Sequence, residues 1–237
     1  MIQVSSLVKK FGSFTALNGL DLCVETGSIY GLVGVNGSGK TTLIKQLTGV
    51  LRPDSGEIKF DGEEVYDNIS VKKRTAYIPD ELYFLGNYNL KSMGEFYRGL
   101  YENWNAERFN TMAADFGLSK TDRICRFSKG MQKQAAFILA MSTMPDYLIL
   151  DEPIDGLDPI MRKKLWGYIL GDVAEKQLTV LVSSHNLREL EGICDSIGIL
   201  SNGRIRFQGK LDELRQDLQD MSLEELFIHA MEGKEDA

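Results

Sequence analysis

A glycine-rich segment, Gly34–Thr42 (GVNGSGKTT), constrains the fold of this chain more than any other feature. The apolar run 28–33 before it predicts a buried strand, and the spacing of apolar residues over 41–51 predicts a helix after it. The segment fits the pattern G-x-x-x-x-G-K-[ST], in which backbone N–H groups surround phosphate oxygens and the following helix aims its positive end at the same anion. The sequence therefore predicts a strand–loop–helix unit that binds a nucleotide phosphate.

The residue types of this loop predict its contacts. Glycines let the backbone approach the phosphates, Lys40 is expected to bridge the β- and γ-phosphates, and the Thr41 hydroxyl is expected to bind Mg²⁺. Chance is the alternative, because 23 glycines in 237 residues make the bare pattern an accident in roughly one or two chains in a hundred. The residues expected to hold the nucleotide are Gly34, Asn36, Gly37, Ser38, Gly39, Lys40, Thr41 and Thr42.

Two adjacent carboxylates follow a second apolar run. Tyr147–Leu150 predicts a buried strand, and Asp151 and Glu152 come directly after it. Strand ends of a parallel sheet open on the ligand crevice, and two neighbouring carboxylates repel unless a cation shares their site. We expect Asp151 to hold Mg²⁺ through water and Glu152 to orient and deprotonate the attacking water. The alternative is a solvated turn, which the phosphate loop upstream disfavours.

A third short segment precedes a predicted helix over 132–141. Ser128 is a plausible N-cap of that helix, which is the simpler interpretation. The functional interpretation adds that Gly130 lets a phosphate approach the helix N-terminus.

The remaining pattern predicts an α/β fold around a largely parallel sheet, because apolar strand-like runs alternate with helical spacing. Residues 1–30 alternate apolar and polar side chains between turns such as Asn18-Gly19, which predicts short antiparallel strands. Residues from about 81 to 144 favour a helical insertion, 186–194 favour a helix, and the segment 211–237 favours a helical tail.

Composition excludes several classes of protein. The net charge is −7, which argues against a protein that mainly grips nucleic acid. Three distant cysteines without a CxxC pair indicate reduced thiols, a cytoplasmic chain and no zinc site. The longest apolar runs are far shorter than a membrane span, so any membrane part is expected to come from another chain. His229, in the polar tail, is expected to be a solvated surface residue.

These segments together resemble the ATP-binding-cassette (ABC) ATPases, from Lys9 to about Gly209. Gly34–Thr41 is similar to Walker A, and Leu148–Asp151 is similar to Walker B. The resemblance implies a phosphate-loop (P-loop) NTPase core with an N-terminal antiparallel β sub-domain and an inserted helical sub-domain. It implies an ATPase domain over 1–210 and ATP and Mg²⁺ as ligands.

The resemblance also assigns further residues. Glu152 corresponds to the catalytic glutamate, and the segment Ser128–Gln132 corresponds to the family signature LSGGQ, so that Ser128, Gly130 and Gln132 are implied nucleotide contacts. His185 matches the switch histidine, which implies a catalytic role, and Leu157-Asp158 matches the D-loop. Phe11 lies where the family has its adenine-stacking aromatic residue.

Three positions depart from the family pattern. The residue after the predicted strand TAYIP is Asp80, where members usually have glutamine. A carboxylate can still bind Mg²⁺ or its water, but it cannot donate a hydrogen bond and it adds negative charge beside the γ-phosphate. The signature has Phe127 and Lys129 where leucine and glycine are common, and the D-loop has Asp155 where a small residue is frequent.

The resemblance implies a partner cassette, since family members pair head to tail around two ATP molecules, as a homodimer or a heterodimer. It implies separate integral-membrane permease subunits and a peripheral location on the inner face of the cell membrane. The single-cassette length and the tail segment Leu223–Phe227 are most similar to bacterial exporters. A soluble ABC ATPase acting on DNA, ribosomes or cluster assembly, and an ATP-sensing regulatory module, remain alternatives.

Aromatic residues concentrate just after Asp80, and most of them are expected to build the core of the helical insertion. The rest are expected to line a groove for a permease helix, because aromatic residues are enriched at such contacts. The set consists of Tyr83, Phe84, Tyr88, Phe96, Tyr97, Tyr101 and Trp104.

Overall fold

The computed structural model describes residues 1–217 and Glu225. The rest of the predicted tail, including most of Leu223–Phe227 and His229, lies outside the described residues. The strands are β1 (Ile2–Phe11), β2 (Phe14–Val24), β3 (Ile29–Val33), β4 (Ser55–Phe60), β5 (Glu63–Glu64), β6 (Thr75–Ile78), β7 (Tyr147–Asp151), β8 (Thr179–Ser184), β9 (Ser196–Ser201) and β10 (Arg204–Lys210). The helices are α1 (Lys40–Leu47), α2 (Ile69–Lys73), α3 (Leu90–Leu100), α4 (Ala106–Asp115), α5 (Lys129–Ser142), α6 (Pro159–Lys176) and α7 (Leu211–Asp217).

A six-stranded sheet in the order β10-β9-β3-β8-β7-β6 forms the centre of the molecule. Its pairs from β9 to β6 are parallel, and β10 alone runs antiparallel, to β9. Every residue of β3, β7 and β8 is buried, as expected for parallel strands covered on both faces. The predicted α/β fold with a largely parallel sheet is confirmed.

A second sheet, in the order β2-β1-β4-β5, is antiparallel. The Asn18-Gly19 pair, predicted as a turn, instead lies within β2. Leu7 pairs with Leu20 and Val8 with Asn18, so Gly19 is the extra residue of a bulge. A glycine serves a bulge as well as it serves a turn, and the local sequence does not separate the two.

The central sheet separates two apolar cores. Along β7, Leu148 and Leu150 belong to one core, whereas Tyr147 and Ile149 belong to the other. This alternation follows from the pleat, which turns successive side chains to opposite faces. The first core continues into α4 and α5, and the second packs against α1 and the antiparallel sheet.

The chain between β6 and β7 contains α3, α4 and α5, and the described residues include no named strand there. The first of these helices begins only after Asn89, whose side chain accepts a hydrogen bond from the Ser92 backbone N–H. Of the aromatic set, Tyr83 is 85% exposed and Phe96 is 45% exposed. The others that pack against the core while partly buried are Phe84, Tyr88, Tyr97 and Trp104.

The helix predicted over 186–194 is wrong, because only a single 3-10 turn forms there, at Leu187–Glu189. Leu187, Leu190 and Cys194 are buried, at a spacing that resembles one face of a helix. Their burial comes instead from packing over β3, where Leu190 and Cys194 lie close above Gly31. None of the described helices is both long and apolar enough to span a bilayer.

Candidate functional site

The glycine-rich loop joins β3 to α1 and is held by close backbone contacts. Gly39 has φ +113°, and a Cβ there would lie 2.9 Å from the Ala16 carbonyl oxygen. A Cβ on Gly34 would lie 2.5 Å from the Leu200 carbonyl oxygen. Side chains at these two positions are therefore excluded by geometry.

Lys40 is the first residue of α1, and only 7% of it is exposed. Its ammonium donates a hydrogen bond to the Gly34 carbonyl oxygen at 2.6 Å and lies 3.5 Å from Oε1 of Glu152. The cation thus lies across the loop, between the backbone and the carboxylate that follows β7. A phosphate placed in the loop would meet this charge.

Asp151 ends β7 and is 2% exposed. The Thr41 hydroxyl donates to its Oδ2 at 3.0 Å, and the Ser183 hydroxyl at the end of β8 donates to its Oδ1 at 2.6 Å. A carboxylate beside a hydroxyl provides the hard oxygen ligands that Mg²⁺ prefers. The donor set of Thr41 and Asp151 therefore fits a magnesium ion.

Glu152 follows directly and has a left-handed backbone, with φ +48°. Its backbone N–H donates to the Ser183 hydroxyl oxygen at 3.2 Å. Its Oε2 lies 3.1 Å from Nδ1 of His185, which stands just beyond β8. The structure thus brings together the carboxylate and the imidazole that the sequence proposes as catalytic.

A cleft of about 330 Å³ lies above these groups. Its lining residues are Phe14, Ala16, Val35, Asn36, Gly37, Gly39, Lys40, Thr41, Thr42, Asp80, Asp151 and Glu152. Three of them are carboxylates, and Lys40 is the one lysine or arginine of this described lining. Burial, together with the Asp151 and Asp80 carboxylates, raises the pKa of the neighbouring Tyr77 to about 12.

Two predicted loop residues, Gly34 and Ser38, do not line this cleft. The Ser38 hydroxyl is buried and has no hydrogen-bond partner within the described structure. A buried polar atom without a partner is costly, and a ligand at the loop is one group that could provide one.

The predicted base contact, Phe11, is also absent from the lining, whereas Phe14 is present. The two residues face each other across the β1–β2 pair. Phe11 is 48% exposed, and the Lys9 ammonium lies 5.7 Å from the centre of its ring. Both rings therefore stand near the mouth of the cleft at the end of one hairpin.

The structure does not bring the signature segment to this cleft. The Ser128 hydroxyl accepts a hydrogen bond from the Met131 backbone N–H and so caps α5. Gln132 donates to the Phe127 carbonyl oxygen at 3.1 Å. A Cβ on Gly130 would lie 3.0 Å from the Gly156 carbonyl oxygen. None of Ser128, Gly130 or Gln132 belongs to the lining of the cleft in its own chain.

Three residues of the site were missed from the sequence. Ser183 bonds both Asp151 and the Glu152 backbone, Phe14 lines the cleft, and Lys133 bonds the Glu152 carbonyl oxygen. The serine lies in the segment Ser183–His185, which the sequence had singled out only for its histidine. The other two had no local signal, because their roles depend on contacts with distant strands.

Comparisons with known proteins agree on one family. Its sequence model, described as ABC transporter, matches residues 17–155. The daunorubicin/doxorubicin resistance ATP-binding protein DrrA of Streptomyces peucetius is 33% identical over 245 residues, which cover 100% of this chain and 73% of that protein. A solved ATP-binding subunit of an ABC transporter superposes with a TM-score of 0.90 at 30% identity, over 97% of this chain and 99% of that one. The bacterial ABC transporter cassette MJ0796, solved as a dimer, shares the fold with a TM-score of 0.80 at 20% identity, over 89% of this chain and 99% of that one.

Proposed function

This chain belongs to the ABC transporter family as an ATP-binding subunit that hydrolyses ATP, and from that premise we propose how its cleft performs the reaction. The ATP phosphates lie in the Gly34–Thr42 loop, with Lys40 on the β- and γ-phosphates. Thr41 and Asp151, with Asp80 at the cleft, would hold a magnesium ion, which would neutralise charge on these phosphates. The contact between the Lys40 ammonium and Glu152, at 3.5 Å, supports this proposal most directly, because it marks where the γ-phosphate meets the base.

Glu152 orients and deprotonates the attacking water in this proposal. Its carboxylate has one oxygen near Lys40 and the other 3.1 Å from the His185 ring. His185 therefore holds the carboxylate at the oxygen that is not near the lysine, and it contacts the γ-phosphate when ATP is bound. A fixed carboxylate next to the phosphate loop is the arrangement that general-base catalysis requires.

The site is completed by a second cassette. Ser128 and Gly130 lie outside the cleft of their own chain, yet Ser128 begins a helix whose positive end suits a phosphate. In a head-to-tail pair this segment caps the γ-phosphate held by Lys40 of the other copy. The dimeric state of the related cassette MJ0796 supports such a pair.

The partners in transport are integral-membrane permease subunits, and the direction is export. The relative DrrA is named for resistance to daunorubicin and doxorubicin, which supports export. The chain then works in the cytoplasm on the inner face of the cell membrane. Residues 1–210 form the ATPase domain with its helical part at about 81–144, and 211–237 form the tail.

Co-expression with the adjacent gene product tests the transport role. The neighbouring open reading frame is expected to encode a protein with about six membrane spans. The chain should co-purify with that protein from membranes, and the complex should hydrolyse ATP. A chain that hydrolyses ATP but stays out of the membrane fraction when that protein is present would contradict the transport role and leave the ATPase assignment intact.

A further inference from the structure

Lys133 is a lysine of α5 that is only 9% exposed. Its ammonium donates to the Glu152 carbonyl oxygen at 2.7 Å and to Oδ1 of Asp80 at 3.3 Å. A buried ammonium is strongly disfavoured unless acceptors surround it. These two acceptors therefore define where the side chain stays, and both belong to residues of the cleft.

The first acceptor belongs to a backbone that needs support. Glu152 has φ +48°, a conformation that a non-glycine residue keeps only where its surroundings enforce it. The Glu152 N–H is held by Ser183 at 3.2 Å, and its C=O is held by Lys133. The two bonds fix the peptide groups on either side of the Glu152 Cα, and so they fix the direction in which its side chain leaves the backbone.

The second acceptor is the carboxylate that replaces the usual amide. Asp80 lines the cleft with Asp151 and Glu152, and three negative charges beside a phosphate repel it. Lys40 offsets one of these charges from the loop side. The Lys133 ammonium offsets a second negative charge, because it lies 3.3 Å from Oδ1 of Asp80.

We propose that Lys133 is a positioning residue for hydrolysis, which ties Asp80 to the backbone of Glu152 and holds the catalytic carboxylate in place. This inference rests on the proposed role of Glu152. Lys133 follows the signature segment on α5, whose N-cap is Ser128. A shift of α5 when two cassettes pair would thus reach Glu152 through this side chain.

The test compares kcat with ATP affinity in Lys133→Met. We expect kcat to fall by about tenfold or more while the calorimetric Kd for ATP stays within about threefold, because the ammonium contacts the backbone of Glu152 and not the phosphate loop. Lys133→Met is also made in an Asp80→Asn background, where it should lower kcat at least about threefold less than in the wild-type chain, because the charge that Lys133 offsets is already gone. If Lys133→Met does not fold, Lys133→Gln replaces it in the same comparison.

Arg108→Met is the matched control. Arg108 is also a cation on a helix of the insertion, and it forms a partly buried ion pair with Asp172 at 2.6 Å, outside the cleft. Arg108→Met should lower the melting temperature and leave kcat within about twofold of the wild-type value. An unchanged kcat in the Lys133 variant, or an equal loss of kcat in the wild-type and Asp80→Asn backgrounds, overturns the inference. A fully active Glu152→Gln in the same series overturns the proposed role of Glu152 instead.

Discussion

The Glu152 carboxylate has a contact at each of its two oxygens, with the Lys40 ammonium at Oε1 and with the His185 imidazole at Oε2. Its backbone is held separately, by Ser183 and Lys133. A glutamate that is held at its backbone and at its carboxylate loses little conformational freedom when it aligns a water molecule. This preorganisation is what makes a single carboxylate effective as a base.

Replacing Glu152 with glutamine should therefore stop turnover and keep binding. We expect Glu152→Gln to slow ATP hydrolysis by roughly 10²–10⁴-fold, the usual contribution of a positioned general base. Steady-state ATPase assays measure the rate, and calorimetry measures ATP affinity. Glu57→Gln, at an exposed pair with Lys59 in the antiparallel sheet, is the control, and near-normal turnover in Glu152→Gln would refute the assignment.

The two phenylalanines of the β1–β2 hairpin give a second prediction at this scale. Phe11→Ala should weaken ATP binding by about 1 kcal/mol, or roughly fivefold in Kd, if its ring stacks on adenine. Phe14→Ala is measured beside it, because Phe14 lines the cleft and Phe11 does not. A larger loss of affinity in Phe14→Ala than in Phe11→Ala would transfer the stacking role to Phe14.

At the scale of elements, α5 connects the signature segment to the catalytic strand end. Its N-terminus carries the Ser128 cap, and its second turn carries Lys133. The middle of the helix is buried in the core that it shares with α4 and the sheet. A movement at the signature segment would therefore pass along a packed helix and not through a loop.

Ser128→Arg should block pairing without disturbing the chain's own nucleotide cleft. The large cation replaces a side chain that we place at the γ-phosphate of the other copy. In a Glu152→Gln background, ATP should produce a dimer on gel filtration with light scattering, and Ser128→Arg should abolish it. The loss of the cap should cost only about 1 kcal/mol of stability.

Ser119→Arg provides the comparison, since Ser119 also accepts backbone hydrogen bonds at a surface turn. It should leave the ATP-dependent dimer unchanged. If Ser128→Arg lost ATP binding as an isolated monomer, the segment would belong to its own chain's site.

The loop between β6 and α3 carries the candidate permease contact. Tyr83 is 85% exposed, and Phe84 packs partly against the core. The double variant Tyr83→Ala, Phe84→Ala should keep its fold and basal ATPase yet fail to co-purify with the membrane subunit, because exposed aromatic residues carry much of the energy of such interfaces. Tyr66→Ala, at an exposed ring outside this set, is the control. Unimpaired co-purification of the double variant would exclude this surface.

At the scale of the whole molecule, the two apolar cores lie on opposite faces of the same central sheet. That sheet was predictable, because the apolar runs of β3 and β7 are continuous and such runs indicate strands buried on both faces. The glycine-rich loop and Asp151 were predictable for the same reason, since each follows such a run. Lys133, Phe14 and the bulge at Gly19 were not, because each depends on a partner strand distant in sequence.

Because both cores pack on this one sheet, we expect them to unfold together. Leu181 of β8 is fully buried in the core that faces the antiparallel sheet. Leu181→Ala should cost about 2–5 kcal/mol of stability, because it leaves a cavity in the middle of the sheet. Scanning calorimetry should show one transition shifted to lower temperature. Two separate transitions would mean that the faces unfold independently.

The position of β3 has a consequence for amide exchange. This strand is paired on both sides, with β8 and β9, and all its residues are buried. Its N–H groups are thus released only when the whole sheet opens, whereas the surface turns of the insertion can open alone. We therefore expect the amides of β3 to be among the slowest to exchange, so that the phosphate-binding loop keeps its shape while the surrounding helices fluctuate.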